Sequence, residues 1–299
     1  MKNESIRAVF IAFLFVVCHQ GVFSQTPDTE LTLPEAHAKP GYALVWHDEF
    51  DKDGLPDPAK WVLEEGFQRN QELQFYMKDS PENTWIEDGV LTITARKVDR
   101  HPNPLLGEGR YDWARKREHV DYTSASLRTD GIFSFTYGRV EVRAELPEGA
   151  GAWPAIWLLG ENWTEIGWPR CGEIDIMEWL GREPNKIHGS LHWSDPDKET
   201  INKRSFSRAL ELPARPEGMN VYAMEWTPET IDLFFNGEKY FSAPIARFKN
   251  DMENSPFDRP MILIINLALG GSWGRAVDDS ALPMTYRIDW VRVYQREEG

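Results

Sequence analysis

The stretch CGEIDIMEWLG, residues 171–181, carries three carboxylates within six positions: Glu173, Asp175 and Glu178. The residues between them, Ile174, Ile176 and Met177, are apolar, and isoleucine is enriched in strands whereas Asp and Glu are depleted. In a strand alternate residues share a face, so Glu173 and Asp175 point one way and Ile174 and Ile176 the other. Strict alternation would send Glu178 to the isoleucine side. One extra residue at Ile176–Met177, a β-bulge, returns it to the acidic side, and bulges recur beside active sites. Three acids on one surface suit the cleavage of an acetal. A retaining glycosidase uses two carboxyl groups roughly 5–5.5 Å apart, one as nucleophile and one as acid/base. At ~3.3 Å per residue Glu173 and Glu178 are about 13 Å apart at Cα, and long side chains leaning together close most of that gap. Crowding the acids raises at least one pKa and keeps a proton available at neutral pH. The same trio would also serve as a cation site or sit on a solvated face. Calcium, however, usually draws ligands from loops with Gly and Asn among them, and a solvated face leaves the nearby tryptophans unaccounted for.

The elements that must position the trio read as strands. GVLTITARKV (89–98), GRVEVRAEL (138–146), TIDLFFNGEKYFS (230–242) and RIDWVRVYQ (287–295) alternate in period two. In the third, NGE marks a hairpin turn. MILIINLAL (261–269) is nearly continuous apolar, as a strand covered on both faces should be. SPENT and FDRPM read as loops, and long amphipathic helical patterns are lacking. The expected fold is all-β, a two-sheet antiparallel sandwich of jelly-roll type. It forms one domain over residues 41–296, preceded by a polar, proline-rich tether at 25–40.

The first residues combine Lys2 and Arg7, an apolar run from Ala8 to Cys18, and a small-residue end at Val22-Phe23-Ser24. The run is short for a bilayer span, and the pattern reads as a signal peptide, residues 1–24, of an exported protein. Lipid attachment at Cys18 is disfavoured by the bulky Val17 before it. Loss of Cys18 with the leader leaves Cys171 alone, so the fold has no disulfide of its own. The formal net charge of −15 makes nucleic acid, anionic lipid and heavily sulfated polymers poor partners unless a cleft is locally basic.

GEIDIMEW resembles the Glu-x-Asp-x-x-Glu signature of glycoside hydrolase family 16, in the six-position form of its laminarinase branch, the endo-β-1,3-glucanases. Further segments resemble laminarinases in the same order: LVWHDEF (44–50), NQELQFY (70–76), DGVLTITA (88–95), the long run 122–160, GWPRCGEIDIMEW (167–179), HGSLHW (188–193), NLALGGSW (266–273) and RIDWVRVYQ (287–295). The resemblance implies an open cleft on the concave sheet and retention of configuration. It makes Glu173 the nucleophile, Glu178 the acid/base and Asp175 the assisting acid, and it places His192 near the acid/base. It also raises a structural calcium, with Glu49, the Gly89 carbonyl and Asp289 as ligands; catalysis itself needs no cofactor. Ala125 stands where relatives often carry glycine, and residues 100–120 form a charged insertion expected at the cleft edge.

Sugar rings stack their C–H faces on aromatic planes. Trp153 and Trp168, each beside a proline and near glycine, are expected to be exposed for this purpose; Trp157, between Ile156 and Leu158, suits the core equally well. Asn70, Glu72, Arg128 and Asn266 are candidates for hydroxyl contacts, with Trp273 on a glycine-rich loop. The expected partner is a polysaccharide, β-1,3-glucan, met by a monomer. Mixed-linkage β-1,3-1,4-glucan remains open as substrate. Agarases and carrageenases share the fold, and a non-catalytic glucan-binding protein is the alternative from outside the enzymes.

Overall fold

In a computed structural model the described residues are 37–194, 201–246 and 255–297. The leader at 1–24, Cys18 and most of the tether lie outside them. Two sheets face each other, one of seven strands and one of ten. The seven-stranded sheet runs Arg204–Glu211, Lys186–Trp193, Glu173–Glu178, Ala152–Gly160, Met261–Leu269, Ser126–Arg128 and Val62–Leu63, with every neighbouring pair antiparallel. The ten-stranded sheet holds the four alternating segments, as Val90–Pro102, Gly138–Glu145, Thr230–Phe235 with Glu238–Pro244, and Met284–Arg296. Gln74–Tyr76 and His119–Ser124 pair in parallel. The result is an open antiparallel sandwich of jelly-roll type, as the sequence predicts.

Met261–Leu269 shows why an unbroken apolar run was required. All nine residues are buried. Met261, Leu263, Ile265, Leu267 and Leu269 enter the main core between the sheets, while Ile262 and Ile264 join a separate cluster on the other face with Trp157 and Leu159. Burying each such side chain contributes about 1.5–3 kcal/mol, and a strand covered on both faces collects this at every position. The polar exception, Asn266, points to the second face. Asp112–Arg115, Trp163–Ile166 and Gly271–Gly274 are helices of a single turn, and no described helix is long and apolar enough to cross a membrane.

Candidate active site

The bulge lies where alternation demanded it. Against Ala152–Gly160, Asp175 pairs with Trp157, Met177 with Ile156 and Glu178 with Ala155, so Ile176 is the extra residue. Ile174, Ile176 and Met177 are fully buried in the main core. Glu173, Asp175 and Glu178 all line one small cavity, ≈ 50 Å³, on the opposite face. A larger cavity of ≈ 470 Å³ opens beside Glu173, with Trp157, Trp163 and Trp168 in its walls. The insertion contributes Arg110, Tyr111 and Trp113 to that cavity, so its middle borders the cleft. Arg117 anchors the insertion by donating to the Glu72 carbonyl at 3.0 Å.

The ends of the trio differ. At one end the Trp153 indole N–H donates to Glu178 Oε1 at 3.0 Å. Trp153 is not exposed as expected: Trp273, edge-on at 5.4 Å, and buried Leu180 and Ala268 pack against it, leaving it 7% accessible. Its role at the site is therefore a hydrogen bond rather than an open stacking surface. Trp273 in turn meets the His188 ring at 4.9 Å. At the other end Trp168 is half-buried beside Glu173 in the larger cavity, with Lys203 Nζ 4.3 Å from its ring centre. His192 also belongs to this end. Strand register sets it opposite Glu173, and His188 opposite Glu178. His192 Nε2 lies 3.3 Å from Asp175 Oδ2 and 3.9 Å from Glu173 Oε1, and its charge also reaches Glu178.

Burial and mutual repulsion dominate the electrostatics. Burial, followed by the charge of Asp175, pushes Glu173 up to about 8. His192, the Trp168 N–H and Lys203 oppose that rise. Burial likewise lifts Asp175 to about 8, against a hydrogen bond with Glu173 and the charge of Lys203. Glu178 is driven well above the carboxylate range by burial and then by Asp175 and Glu173. Close acids without a full complement of cations cannot all ionise, so the trio holds protons at neutral pH. Lys203 and the Trp168 N–H lie at the Glu173 end, so of the two glutamates Glu173 gives up its proton the more readily. Asp175 Oδ2 is buried and accepts no well-aligned hydrogen bond, with His192 Nε2 at 3.3 Å its nearest polar neighbour of opposite sign.

The polar candidates line these cavities. Glu72 is buried, accepts from Gln74 at 2.8 Å and from Asn70 and Tyr76 at 3.3 Å, and is raised to about 7 by burial. It is thus a fourth acid facing the trio across the small cavity. Asn266 accepts from Trp157 Nε1 at 2.8 Å and donates to the Tyr76 hydroxyl at 2.9 Å, so Trp157 is buried and belongs to the cleft-side cluster, not to the main core. Arg128 pairs with Glu64 and Asp130 at 3.4 Å each. Asn70 sits at φ 54 in a loop that Gly271 touches closely; a Cβ there would meet the Asn70 carbonyl at 2.8 Å. Sequence reasoning passed over Glu64 and Arg69. Buried Glu64 ion-pairs with Arg69, whose guanidinium lies 5.1 Å from the Trp157 ring centre. Arg69 adjoins Asn70 in the chain, but a loop pair five residues apart follows no strand period.

The calcium set does not fit. Both Glu49 carboxylate oxygens accept from Arg292, at 2.8 and 2.7 Å, and Asp289 is hydrogen-bonded to Arg143. A guanidinium already neutralises each proposed ligand, leaving Gly89 only its carbonyl. Among the described residues, the one group of three His, Asp or Glu side chains with ligating atoms within 4.8 Å of one another is Glu173, Asp175 and His192.

Residues 71–292 match the model of the glycosyl hydrolases family 16. The chain belongs to that family and is a glycoside hydrolase. It is 42% identical over 265 residues to the β-glucanase of Rhodothermus marinus, covering 86% of each chain. Among solved structures it resembles the laminarinase catalytic domain of Thermotoga maritima, 34% identical, with a TM-score of 0.73 and coverage of 86% of this chain and 99% of that one. It also resembles a structure described with endo-acting O-glycanases of the human gut microbiota that initiate mucin breakdown: 33% identical, TM-score 0.78, covering 87% and 93%.

Proposed function

We propose that the chain is an exported, endo-acting, retaining glycosidase that cleaves β-1,3-glucan of laminarin type by double displacement. Glu178 holds the proton and delivers it to the glycosidic oxygen as that bond breaks. Glu173, beside His192 and Lys203, attacks the anomeric carbon and forms the glycosyl-enzyme. Glu178, now a carboxylate, takes a proton from water, which releases the sugar with its configuration retained. Asp175 shares charge with Glu173 through their hydrogen bond and so helps it alternate between carboxylate and ester. The observation that carries this reading is the bulge that sets all three acids in one cavity. Relatives named β-glucanase and laminarinase support the substrate. Export rests on the leader-like residues 1–24, and a monomer suffices because every proposed group comes from one chain. Calcium has no part in the reading, since arginines hold its two carboxylate ligands.

A second reading, endo-cleavage of a mucin O-glycan, is favoured by the O-glycanase likeness and by Arg110, Tyr111 and Trp113 in the larger cavity. The test is incubation with laminarin, mixed-linkage glucan, agarose, carrageenan and mucin glycans, with products resolved by size. Fastest release of several oligosaccharides from laminarin is expected. Faster release from mucin glycans would replace the first reading with the second, and binding to laminarin without products would remove the enzyme altogether.

A further inference from the structure

The bulge that carries Glu178 to the acidic face is met from the opposite sheet. Ile176 has no partner in the register of either neighbouring strand. Its carbonyl instead accepts a hydrogen bond from the Tyr240 hydroxyl at 3.0 Å. Tyr240 lies on Glu238–Pro244 of the ten-stranded sheet, so this bond crosses the sandwich. On Lys186–Trp193, Gly189 stands between the partners of Asp175 and Glu178 and faces the two bulged residues. A Cβ at Gly189 would lie 2.9 Å from the Tyr240 oxygen and 2.4 Å from Leu233 Cδ1. The bare glycine is what lets the phenol reach the carbonyl.

We propose that Tyr240 is a positioning residue for the acids: its hydroxyl fixes the Ile176 peptide, hence the place of the bulge, and so aims Glu178 relative to Glu173. This rests on the catalytic reading above. The side chains on the core face of the strand, Ile174, Ile176 and Met177, are all apolar, and apolar packing is non-directional. A one-residue slip would turn Glu178 into the core. A directional donor aimed at the carbonyl of the extra residue distinguishes the working register from its neighbours, because a buried acceptor left without a donor is costly. Tyr240 touches neither substrate nor the reacting atoms in this account; it acts through the backbone.

The test is Tyr240→Phe in the full chain, assayed on laminarin and on an activated aryl β-glycoside of a short β-1,3-glucan. Misaiming an acid by a fraction of an ångström to 1 Å costs up to about 10²-fold. The expected result is a fall in kcat on laminarin of ten- to a hundredfold at unchanged KM. The aryl substrate, whose leaving group needs no proton from Glu178, should lose much less in the glycosylation step. Val142→Ala, a core change elsewhere in the ten-stranded sheet, gives a loss of Tm without that substrate selectivity. Equal losses on both substrates, or no loss of kcat, would reduce Tyr240 to core packing. Should Tyr240→Phe fail to fold, Gly189→Ala presses on the same hydroxyl from the neighbouring strand, and it must show the same selective loss or the proposal fails. Wild-type protein inactive on every β-glucan would overturn the underlying glucanase reading; an active wild type with an unaltered Tyr240→Phe would overturn this one alone.

Discussion

Glu49 and Glu178 are both glutamates at the margin of the apolar core, yet their surroundings are opposite. Burial works to raise Glu49, but the two hydrogen bonds and charge of Arg292 overcome it, and the group ends below its ordinary value. Glu141, on the ten-stranded sheet that also carries Arg292, follows suit: burial raises it, and Lys39 at 2.9 Å and Arg139 at 2.7 Å bring it down. Glu178 has an indole N–H and two neighbouring acids instead of a guanidinium, and it rises. On the ten-stranded sheet these carboxylates are fixed anions that tie strands together. On the cleft face they are left short of cations and keep protons they can give away. Placement of the arginines, more than the number of acids, separates a structural carboxylate from a reactive one.

The contrast predicts unequal consequences. Glu173→Ala should have the largest effect, a loss of kcat on laminarin on the order of 10⁴–10⁶-fold, as for other groups that form the covalent bond; a reducing-sugar assay checks it. Glu178→Gln should cost about 10²–10⁴-fold on laminarin, the range for a general acid, with glycosyl-enzyme still forming from an activated aryl substrate, as a pre-steady-state burst would record.

Stability should move the other way at the cleft. The raised pKa of Glu173 means that the folded state holds a proton which the unfolded chain releases. Its contribution is fully present below the ordinary carboxylate range and is lost as pH rises through about 8. Glu173→Gln should therefore raise Tm at pH 7, by about 2–4 °C for each kcal/mol relieved, and the gain should vanish near pH 4. Glu49→Gln should do the reverse and do least. Its pKa is lowered on folding, so its stabilisation is present above the ordinary carboxylate range and is lost as pH falls through the folded value. Loss of the ion pair should cost up to about 1 kcal/mol at pH 7, fading in acid. Melting curves of both variants from pH 4 to 8 would sharpen the comparison, and parallel curves would break it.

Much of the site was legible because strands write their faces into the sequence. GEIDIMEW betrays its bulge by the failure of alternation at Met177, and MILIINLAL betrays two covered faces by having no polar partner residues except Asn266. What the chain could not reveal lies across sheets and between distant loops. Tyr240 reads as an ordinary strand aromatic until a carbonyl from the other sheet is found 3.0 Å away. Trp153 reads as exposed from its proline and glycine neighbours, whereas Trp273, which covers it, is 120 residues further along the chain. The arginines beside Glu49 and Asp289 are likewise set by strand pairing, not by nearness in sequence.

The central claim, that Glu173 is the nucleophile and Glu178 the acid/base, is tested most directly by azide rescue with an activated aryl β-glycoside. In Glu178→Gln the glycosyl-enzyme forms on Glu173, and azide, which needs no base, should displace it to give the β-glycosyl azide. In Glu173→Ala azide should take the place of the missing carboxylate and give the α-glycosyl azide. Opposite anomers in that order are the predicted result; reversed anomers would exchange the two roles, and full activity in either variant without azide would contradict the account.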